Sequence, residues 1–335
     1  MSYLGRKIIV TGADGFIGSH VVEQLVAAGA RVRALAAYNS FDGVGWLEDL
    51  SVEVADKVEI VRGDVRDCAF MMRVIMGCDI CFHLAALIGI PYSYTAAQSY
   101  IDTNVAGTLN VLEAVRAHRV SRMVHTSTSE VYGTALFEPM DENHPLQGQS
   151  PYSASKIGAD MMVEAYARSF GTPVVTLRPF NTFGPRQSER AVIPTIIRQV
   201  LDPDCDEIRL GDLTPSRDFS FVVDTARAFL ALGTASDVSY GTAYNCGTGR
   251  SVTIGDTVSA IRAICGSNKP VITEAARVRP EHSEVRTLIA DPRRLHLATG
   301  WQAMHSHEQG LSASINWWRE RFTAGKIRSG SDYMI

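Results

Sequence analysis

Apolar residues in the first half of the chain form short runs that alternate with longer stretches of helical periodicity. Short continuous apolar runs predict buried strands, whereas apolar residues three and four positions apart predict amphipathic helices. The runs that predict strands cover residues 7–12, 31–38, 58–65, 79–86, 122–133 and 173–181. The stretches that predict helices cover residues 19–30, 104–118 and 153–171. This alternation predicts an α/β fold with a doubly wound parallel sheet and helices on both of its faces.

The second half of the chain has a less regular pattern. Helical periodicity recurs at residues 190–201, 251–265 and 311–325. No composition break or Pro/Gly-rich linker separates the two halves. We therefore expect a sheet domain over residues 1–178, with a return segment near residues 218–247. Residues 179–330 would then form mainly a smaller C-terminal lobe that grows from the edge of the sheet.

The composition is that of an ordinary globular protein. The chain has 335 residues, of which 46% are apolar and 20% are charged, so it can bury a sizeable core and is not disordered. The net charge is −4 and no block of Lys and Arg stands out, which argues against nucleic acid or an anionic membrane as the main partner. No apolar run approaches the roughly 18–20 residues of a membrane span, and the first residues enter a strand at once. We therefore expect a cytoplasmic protein.

Cysteine and histidine do not form a recognisable metal site. Cys78 and Cys81 make a Cys-x-x-Cys pair inside an apolar run, and no second pair completes a zinc site. We interpret both as reduced core residues. The nine histidines are dispersed, and His282 lies two residues before Glu284 without a further ligand set nearby. The sequence therefore predicts no metal.

A glycine-rich turn follows the first predicted strand and opens the first predicted helix. Its glycines are spaced G-x-x-G-x-x-G, which lets the backbone turn tightly and approach a diphosphate at the N-terminus of the helix. The strand before it and the helix after it are the context that such a turn needs. This pattern predicts a Rossmann-type dinucleotide site. The candidate cofactor-binding residues in the turn are Gly12, Asp14, Gly15, Phe16, Ile17 and Gly18.

The end of the second strand lacks the acidic residue that usually binds the adenosine ribose hydroxyls. The sequence there is Ala-Ala-Tyr-Asn, residues 36–39, so Asn39 or backbone groups are candidates to replace the carboxylate. Arg31 or Arg33 would instead favour a 2′-phosphate. The expected cofactor is NAD, with NADP left open. Asp64 ends the third strand, where it either meets the adenine amine or caps the next helix.

A tyrosine and a lysine lie one helical turn apart at the start of the predicted helix 153–171. Tyr152 and Lys156 therefore share one face of that helix. An unperturbed tyrosine has a pKa near ~10 and is a poor base, but a close ammonium favours its phenolate. Tyr152 can then take a proton from an alcohol as a hydride leaves for a nicotinamide. Thr128 is placed to hydrogen-bond the same alcohol.

Six ordered motifs span most of the chain. They are TGADGFIG (11–18), HLAA (83–86), NVAGT (104–108), TSTSEVYG (126–133), YSASK (152–156) and RPFNTFGPRQ (178–187). Together they resemble the extended short-chain dehydrogenase/reductase family in its NAD-dependent epimerase/dehydratase branch. The resemblance implies NAD(P) in the sheet domain, a nucleotide diphosphate sugar in the C-terminal lobe, and a homodimer joined by helices 104–118 and 153–171. The further cofactor contacts that it implies are Val65, Leu84, Ala85, Ala86 and Asn104.

Longer segments narrow the resemblance. Residues 83–104, 144–160, 178–197 and 279–285 are most similar to LegB-type 4,6-dehydratases, which act on UDP- or GDP-linked N-acetylglucosamine. The resemblance implies that the loop at residues 88–94 lines the sugar pocket. The substrate-binding residues that it implies are Pro91, Tyr92, Asn181, Arg217 and Arg279. Asn181 would contact the sugar nucleotide near its phosphates, and both arginines would hold the diphosphate, which suits a guanidinium fork.

The reaction depends on the row Thr128-Ser129-Glu130. dTDP-glucose 4,6-dehydratases carry Thr-Asp-Glu, whereas GDP-mannose 4,6-dehydratases and UDP-glucuronate decarboxylases resemble the Thr-Ser-Glu form of this chain. Once C4 is a ketone, the C5 proton is acidic and Glu130 can remove it. Glu130 can then deliver that proton to the C6 oxygen while Ser129 orients this oxygen. The sequence therefore predicts a nucleotide-sugar 4,6-dehydratase.

Three other functions compete with the dehydratase. A UDP-glucuronate decarboxylase shares Thr-Ser-Glu but needs a cation for the C6 carboxylate, for which Arg190 is the candidate. In a 4-epimerase the ketone only rotates, and Glu130 argues against it. A non-catalytic NAD(P)-binding protein would not need the intact set of Thr128, Tyr152 and Lys156. The mass of the product distinguishes these functions.

Overall fold

The structure is a computed structural model that describes residues 2–274, 277 and 286–327. Its strands are β1 (Lys7–Thr11), β2 (Arg31–Ala37), β3 (Val58–Gly63), β4 (Ile80–His83), β5 (Arg122–Thr126), β6 (Val174–Pro179), β7 (Asn181–Phe183), β8 (Ile208–Leu210), β9 (Ser216–Arg217), β10 (Phe219–Phe221), β11 (Ala243–Cys246), β12 (Val252–Thr253), β13 (Val271–Thr273) and β14 (Thr287–Leu288). Its helices are α1 (Phe16–Ala27), α2 (Val52–Ala55), α3 (Cys68–Ile75), α4 (Ile90–Thr95), α5 (Ala97–Tyr100), α6 (Gly107–Ala117), α7 (Pro151–Phe170), α8 (Val192–Leu201), α9 (Val222–Thr234), α10 (Ile254–Cys265), α11 (Arg293–Thr299) and α12 (His307–Thr323). Short 3₁₀ turns occur at Gly45–Asp49 and Ser129–Val131, and a π-helical stretch occurs at Ile101–Ala106.

The main sheet of the described residues has seven parallel strands in the order β11–β6–β5–β4–β1–β2–β3. This confirms the doubly wound, Rossmann-type fold predicted from the alternation of strands and helices. The strand order reverses at β1, which pairs with β2 on one side and with β4 on the other. In such sheets a ligand binds outside the carboxyl ends of the strands at the point of reversal. Thr11, Ala37 and His83 end three of the strands along this edge.

Helices cover both faces of the sheet, and alternate strand residues face opposite sides. Ile8 and Val10 of β1 pack in a core cluster with residues of α1 and α9, whereas Ile9 packs in a second cluster with residues of α3, α6 and α7. Cys78 and Cys81 belong to this second cluster and are free thiols. The strands read as continuous apolar runs because both faces are buried.

The C-terminal lobe has its own core. Residues of α8, α10 and α12 pack with short strands around Phe183, Phe221 and Trp318. These helices correspond to the periodicity at residues 190–201, 251–265 and 311–325, with ends shifted by up to four residues. The short strands β7 to β10 have no clear sequence signal because each spans only two or three residues. No helix among the described residues is long and apolar enough to cross a membrane.

The helix that carries Tyr152 and Lys156 has strong local start and stop signals. Ser150 and Ser153 form a reciprocal capping box, and Pro151 occupies the first helical position, where its missing N–H costs nothing. The helix ends at Gly171, which has a left-handed φ of 65°. A serine cap of this kind contributes about 1 kcal/mol. The first turn of α7 is therefore fixed in register, and with it the position of Tyr152.

Candidate active site

The glycine-rich turn lies directly against the loop that follows β4. Gly12 has a φ of 66°, and a Cβ there would stand 2.7 Å from the backbone nitrogen of Ala85. A Cβ on Gly18 would stand 2.0 Å from the carbonyl oxygen of Gly12. No side chain caps the first turn of α1, whose N-cap is Gly15. The backbone N–H groups of Phe16, Ile17 and Gly18 therefore open a helix N-terminus that suits a diphosphate.

The loop after β4 is held to the glycine turn and to the π-helical stretch. Thr11 accepts from Leu84 N at 3.1 Å through its carbonyl and from Ala85 N at 3.2 Å through Oγ1. Asn104 is 1% exposed, accepts from Leu87 N at 2.8 Å, and donates to Leu87 O and to Ser155 Oγ. The structure thus brings Leu84, Ala85 and Ala86 to the strand-order reversal. Asn104, predicted as a cofactor contact, is committed to positioning this loop.

The end of β2 differs from the prediction made for Asn39. Its Oδ1 accepts from the N–H groups of Phe41 and Gly43, and its Nδ2 donates to Gly43 O and Ala37 O, at distances of 2.8 to 3.4 Å. These four bonds use the whole capacity of an asparagine amide. Asn39 therefore closes its own loop and does not replace the missing carboxylate. Asp14 Oδ2 instead accepts from the N–H of Ala37 at 3.0 Å.

Asp64 and Val65 lie at the end of the next strand. Asp64 is bound by Arg66, whose guanidinium holds the pKa of the carboxyl below its usual range. The alternative reading of Asp64 as a helix cap is wrong, because Asp67 caps α3 by accepting from Phe70 N at 3.0 Å. Val65 is buried and packs against Gly107. A Cβ added to Gly107 would stand 2.8 Å from Val65 Cγ2.

The reaction centre forms where β5 ends. Thr128 caps the 3₁₀ turn Ser129–Val131, and its Oγ1 accepts from Glu130 N at 3.2 Å. The Thr128 hydroxyl and the Glu130 carboxylate both act on the pKa of the Tyr152 phenol, the hydroxyl lowering it and the carboxylate raising it. Ser129 is 3% exposed inside the same turn. The structure therefore places the turn that follows Thr128 and contains Glu130 against α7, which carries Tyr152.

Lys156 lies one turn along α7 but faces the strand end. Its Nζ donates to Thr126 O at 2.6 Å. Burial lowers the pKa of Lys156 to about 8, and the Asp160 carboxylate opposes this fall. Burial raises the pKa of Tyr152 well above its ordinary value, the Thr128 hydrogen bond opposes that rise, and Glu130 adds to it. The Lys156 ammonium therefore binds a carbonyl oxygen at the strand end, and its predicted effect on the Tyr152 phenolate stays a prediction.

A buried polar network supports the Tyr–Lys helix from below. Asp160 Oδ2 accepts from Arg178 Nη2 at 2.9 Å and from Ser127 Oγ at 2.8 Å. His125 lies 3.4 Å from Asp160 Oδ1, and burial lowers the pKa of its imidazole to about 4. Asp160 is 4% exposed. Sequence reasoning missed this residue, although it continues the four-residue spacing of Tyr152 and Lys156.

An aromatic wall stands beside Tyr152. The Tyr100 ring lies 6.2 Å from the Tyr152 ring in an edge-on arrangement, and Tyr92 lies 6.2 Å from Tyr100. Pro91 and Tyr92 belong to α4, in the loop predicted to line the sugar pocket. Tyr100 was not predicted, because it immediately precedes the π-helical stretch and its direction depends on that irregularity.

The predicted phosphate-binding residues are spread over the C-terminal lobe. Asn181 is in β7, and its buried Oδ1 has no hydrogen-bond partner among the described residues. Arg217 in β9 is 8% exposed and donates to Ser216 O at 2.9 Å. Arg190 is exposed before α8, and its charge acts on Tyr100. Arg279 lies outside the described residues. Across residues 2–274, 277 and 286–327, no group of three or more His, Cys, Asp or Glu could hold a metal ion.

The sequence as a whole matches a known protein family. A family model described as GDP-mannose 4,6 dehydratase matches residues 9–313. The chain belongs to this family. The match covers both the sheet and the C-terminal lobe, which confirms the membership of the extended short-chain dehydrogenase/reductase family predicted from the motifs. The narrower resemblance to LegB-type enzymes stays a prediction.

Relatives of this 4,6-dehydratase family member include dehydratases and epimerases. The dTDP-glucose 4,6-dehydratase of Neisseria meningitidis serogroup B is 32% identical over 343 residues, covering 95% of this chain and 94% of the relative. The structure of DesIV, a dTDP-glucose 4,6-dehydratase from Streptomyces venezuelae with NAD bound, has a TM-score of 0.83 and 29% identity, covering 94% of this chain and 98% of that one. The UDP-N-acetylglucosamine 4-epimerase of Methanobrevibacter ruminantium has a TM-score of 0.85 and 28% identity, covering 95% of this chain and 99% of that one.

Proposed function

We propose that the protein is an NAD-dependent nucleotide-sugar 4,6-dehydratase that converts a UDP- or GDP-linked N-acetylglucosamine to its 4-keto-6-deoxy derivative. The observation that carries this proposal is that the turn Ser129–Val131 packs against α7, so that the Glu130 charge acts on the Tyr152 phenol. A 4-epimerase needs only the tyrosine, whereas a dehydratase needs a second base for the C5 proton. The resemblance of residues 83–104 and 144–160 to LegB-type dehydratases supports the N-acetylglucosamine nucleotide.

The crevice suits NAD at the glycine turn and along the loop after β4. The N–H groups of Phe16, Ile17 and Gly18 would bind the diphosphate, and the residues from Leu84 to Ala86 would line the path toward Tyr152. NAD, when bound, supplies a hydride acceptor for C4, a hydride donor for C6, and a positive charge while it is oxidised. The NAD-bound Streptomyces relative supports the same cofactor here.

The residues of the reaction centre divide the proton transfers between them. Tyr152 removes the proton from the C4 hydroxyl, and Thr128 hydrogen-bonds the same oxygen. Glu130 removes the C5 proton from the ketone and delivers it to the C6 oxygen, which leaves as water while Ser129 orients it. C5 later takes back one proton, equal to the proton that Tyr152 removed. The product is therefore the substrate less one water, with no net oxidation.

The nucleotide part of the substrate would lie against the C-terminal lobe. The buried Asn181 Oδ1 without a partner can accept a hydrogen bond from the sugar nucleotide. Arg217 would bind the diphosphate on the same side. The sugar would then extend past Pro91 and Tyr92 toward the phenol of Tyr152.

The mass of the product tests the proposal directly. Purified protein is incubated with UDP- and GDP-linked N-acetylglucosamine, UDP-glucuronate and dTDP-glucose, and each product is measured by mass spectrometry. We expect a product lighter by one water from an N-acetylglucosamine nucleotide. An isomer of unchanged mass would indicate an epimerase, and no product from any substrate would indicate a non-catalytic protein.

One observation favours UDP-glucuronate decarboxylase as the second candidate. Burial raises the pKa of Tyr100, and the Arg190 charge opposes that rise, so a cation stands near the aromatic wall. A decarboxylase needs such a cation for the C6 carboxylate. Loss of carbon dioxide from UDP-glucuronate, abolished by Arg190→Ala, would establish this activity in place of dehydration.

The proposal includes a homodimer joined by α6 and α7. Ile101, in the π-helical stretch before α6, and Met161, in α7, are apolar yet 45% and 44% exposed. Pairing with a second copy would bury both. Size-exclusion chromatography with light scattering should find a dimer at micromolar concentration and a monomer for Met161→Arg. A monomeric wild-type protein would contradict the proposal.

A further inference from the structure

The adenosine end of the crevice raises the question of how the protein distinguishes NAD from NADP. The usual carboxylate at the end of the second strand is absent, and Asn39 is committed to its own loop. NADP differs from NAD by a 2′-phosphate on the adenosine ribose. Selection between them therefore depends on which charged groups stand at the carboxyl end of β2.

A carboxylate does stand at this point, but it comes from the glycine turn. Asp14 Oδ2 accepts from the N–H of Ala37, the last residue of β2, at 3.0 Å. The loop after β2 packs over Asp14 from the other side, since Trp46 N donates to Asp14 O at 3.0 Å. A Cβ on Gly45 would stand 3.1 Å from Asp14 Cβ. The position of this carboxylate is thus fixed between the turn that receives the diphosphate and the strand that receives the ribose.

The Asp14 carboxylate can still bind a ligand. Beyond its own amide, Ala37 is its donor among the described residues. A carboxylate can accept about four hydrogen bonds, so capacity remains for a hydroxyl group. Asp14 is only partly buried, so the residue is not closed off from solvent.

The arginines that would favour a 2′-phosphate are engaged elsewhere. Arg33 donates to Glu59 Oε2 at 2.9 Å and to Val74 O at 2.7 Å. Arg62 pairs with Asp42 at 3.0 Å. Arg31 is the first residue of β2 and therefore lies at the opposite edge of the sheet from the glycine turn. A 2′-phosphate at the end of β2 would meet the negative charge of Asp14.

We infer that Asp14 accepts a hydrogen bond from the 2′-hydroxyl of the adenosine ribose and repels a 2′-phosphate, so that a residue of the glycine turn selects NAD over NADP. This inference rests on the proposed function, because it requires a dinucleotide in the crevice. It assigns to Asp14 the role that a strand-end acid has in most such sheets. The protein can therefore recognise the ribose although residues 36–39 contain no acid.

Calorimetric binding of NAD and of NADP to the cofactor-free protein tests the inference without measuring turnover. We expect the wild-type protein to bind NAD at least about 100-fold more tightly than NADP, because like charges brought together are costly. Asp14→Asn keeps an acceptor for Ala37 N–H and removes the charge, so the NAD to NADP preference should fall at least about tenfold. Asp56→Asn removes the same charge from an exposed site after α2 and should leave the preference unchanged.

The wild-type measurement keeps the test decisive if Asp14→Asn folds poorly, because equal affinity of the wild-type protein for NAD and NADP would also overturn the inference. Asp14→Asn combined with Ala37→Asp returns a carboxylate to the strand end and should restore the NAD preference. A preference within about twofold of wild type in a folded Asp14→Asn variant would overturn the inference. If the wild-type protein binds neither dinucleotide, the proposed function itself fails, and the two failures are therefore distinguishable.

Discussion

The two ends of the cofactor crevice are built in different ways. At the reaction end, Tyr152, Lys156 and Asp160 stand on successive turns of one long helix, and each is at most 7% exposed. At the adenosine end, Asp14 and Asn39 stand on loops, and the neighbouring Phe41 is 93% exposed. The chemistry is therefore fixed by a buried regular element, whereas the fit to the adenosine depends on loop conformation.

This difference predicts how each end responds to substitution. A change in the buried helix disturbs proton transfer or leaves a buried charge without a partner, and both effects are large. A change in the exposed loops alters binding and leaves the core intact. The following variants test this contrast, beginning with the largest expected effect.

Tyr152→Phe should abolish the first step. Without the phenolic oxygen, no base takes the C4 proton, so kcat should fall by about 10³-fold or more. Reduced nicotinamide should not appear when substrate is added, as followed by its absorbance in stopped flow. Tyr166→Phe removes a hydroxyl from the same helix, where it binds Glu113, and should turn over normally. Rapid cofactor reduction by Tyr152→Phe would refute the assigned role.

Glu130→Gln should separate oxidation from elimination. The amide cannot take the C5 proton, so formation of the dehydrated product should fall by about 10²-fold. Tyr152 is still present, and substrate should therefore convert bound cofactor to its reduced form, which accumulates. Glu138→Gln, at an exposed position of the loop before α7, is the control. Dehydration at a rate close to that of the wild type would show that Glu130 is not the second base.

Asp160→Asn should affect both stability and pH dependence. It leaves the buried Arg178 without its carboxylate, which should cost about 3–5 kcal/mol of unfolding free energy by denaturant titration. Glu164→Gln on the same helix breaks the surface pair of the half-buried Glu164 with the exposed Arg168 and should cost less than about 1 kcal/mol.

The pH profile of the same variant tests the link to Lys156. The pKa of Lys156 is lowered to about 8, so its ammonium is lost as pH rises through that value. Activity should then fall on the alkaline side, and Asp160→Asn should move this limb to lower pH because Asp160 opposes the fall. The effect on stability has the opposite sign. The lysine of the unfolded chain keeps its proton up to a pKa of 10.5, whereas that of the folded protein loses it at about 8. The contribution of Lys156 to the unfolding free energy therefore rises with pH between about 8 and 10.5. An unmoved alkaline limb would contradict this role of Asp160.

Asn39→Ala should have the smallest effect. It removes the four hydrogen bonds that close an exposed loop, so NAD affinity measured by calorimetry should fall only about threefold to tenfold. The unfolding free energy should change by less than about 1 kcal/mol. A loss of turnover as large as that of Tyr152→Phe would show that the two ends are not independent.

The same contrast explains what the sequence could predict. The pairing of Tyr152 and Lys156 could be predicted because a spacing of four residues on one helix determines a shared face. The sheet could be predicted because its strands are continuous apolar runs. The hydrogen bond from Ala37 N–H to Asp14 could not be predicted, since it depends on the path of the loop between β2 and α2. Asn104 shows the reverse case, a motif residue whose amide makes hydrogen bonds within the protein to Leu87 N and Ser155 Oγ.

The pKa of Tyr152 could not be predicted from spacing either. Four residues on a helix place Lys156 near the phenol, but the direction of a flexible lysine depends on the carbonyl of Thr126 at the end of β5. The burial that raises the pKa of Tyr152 depends on the aromatic wall with Tyr100. Both are contacts between distant segments, for which a single sequence carries no local signal.

The position of β11 has a consequence for the nascent chain during synthesis. This strand pairs with β6, and α9, which precedes it in sequence, packs Phe229 and Leu232 into the core beneath the sheet. On the ribosome, β1 to β6 emerge before either element. Until β11 and α9 have been synthesised, β6 has an unpaired edge, and the face of the sheet that α9 covers is exposed there. Such a state is prone to aggregation. We therefore expect fragments that end before α9 to aggregate, and synthesis of the full chain to depend on chaperones.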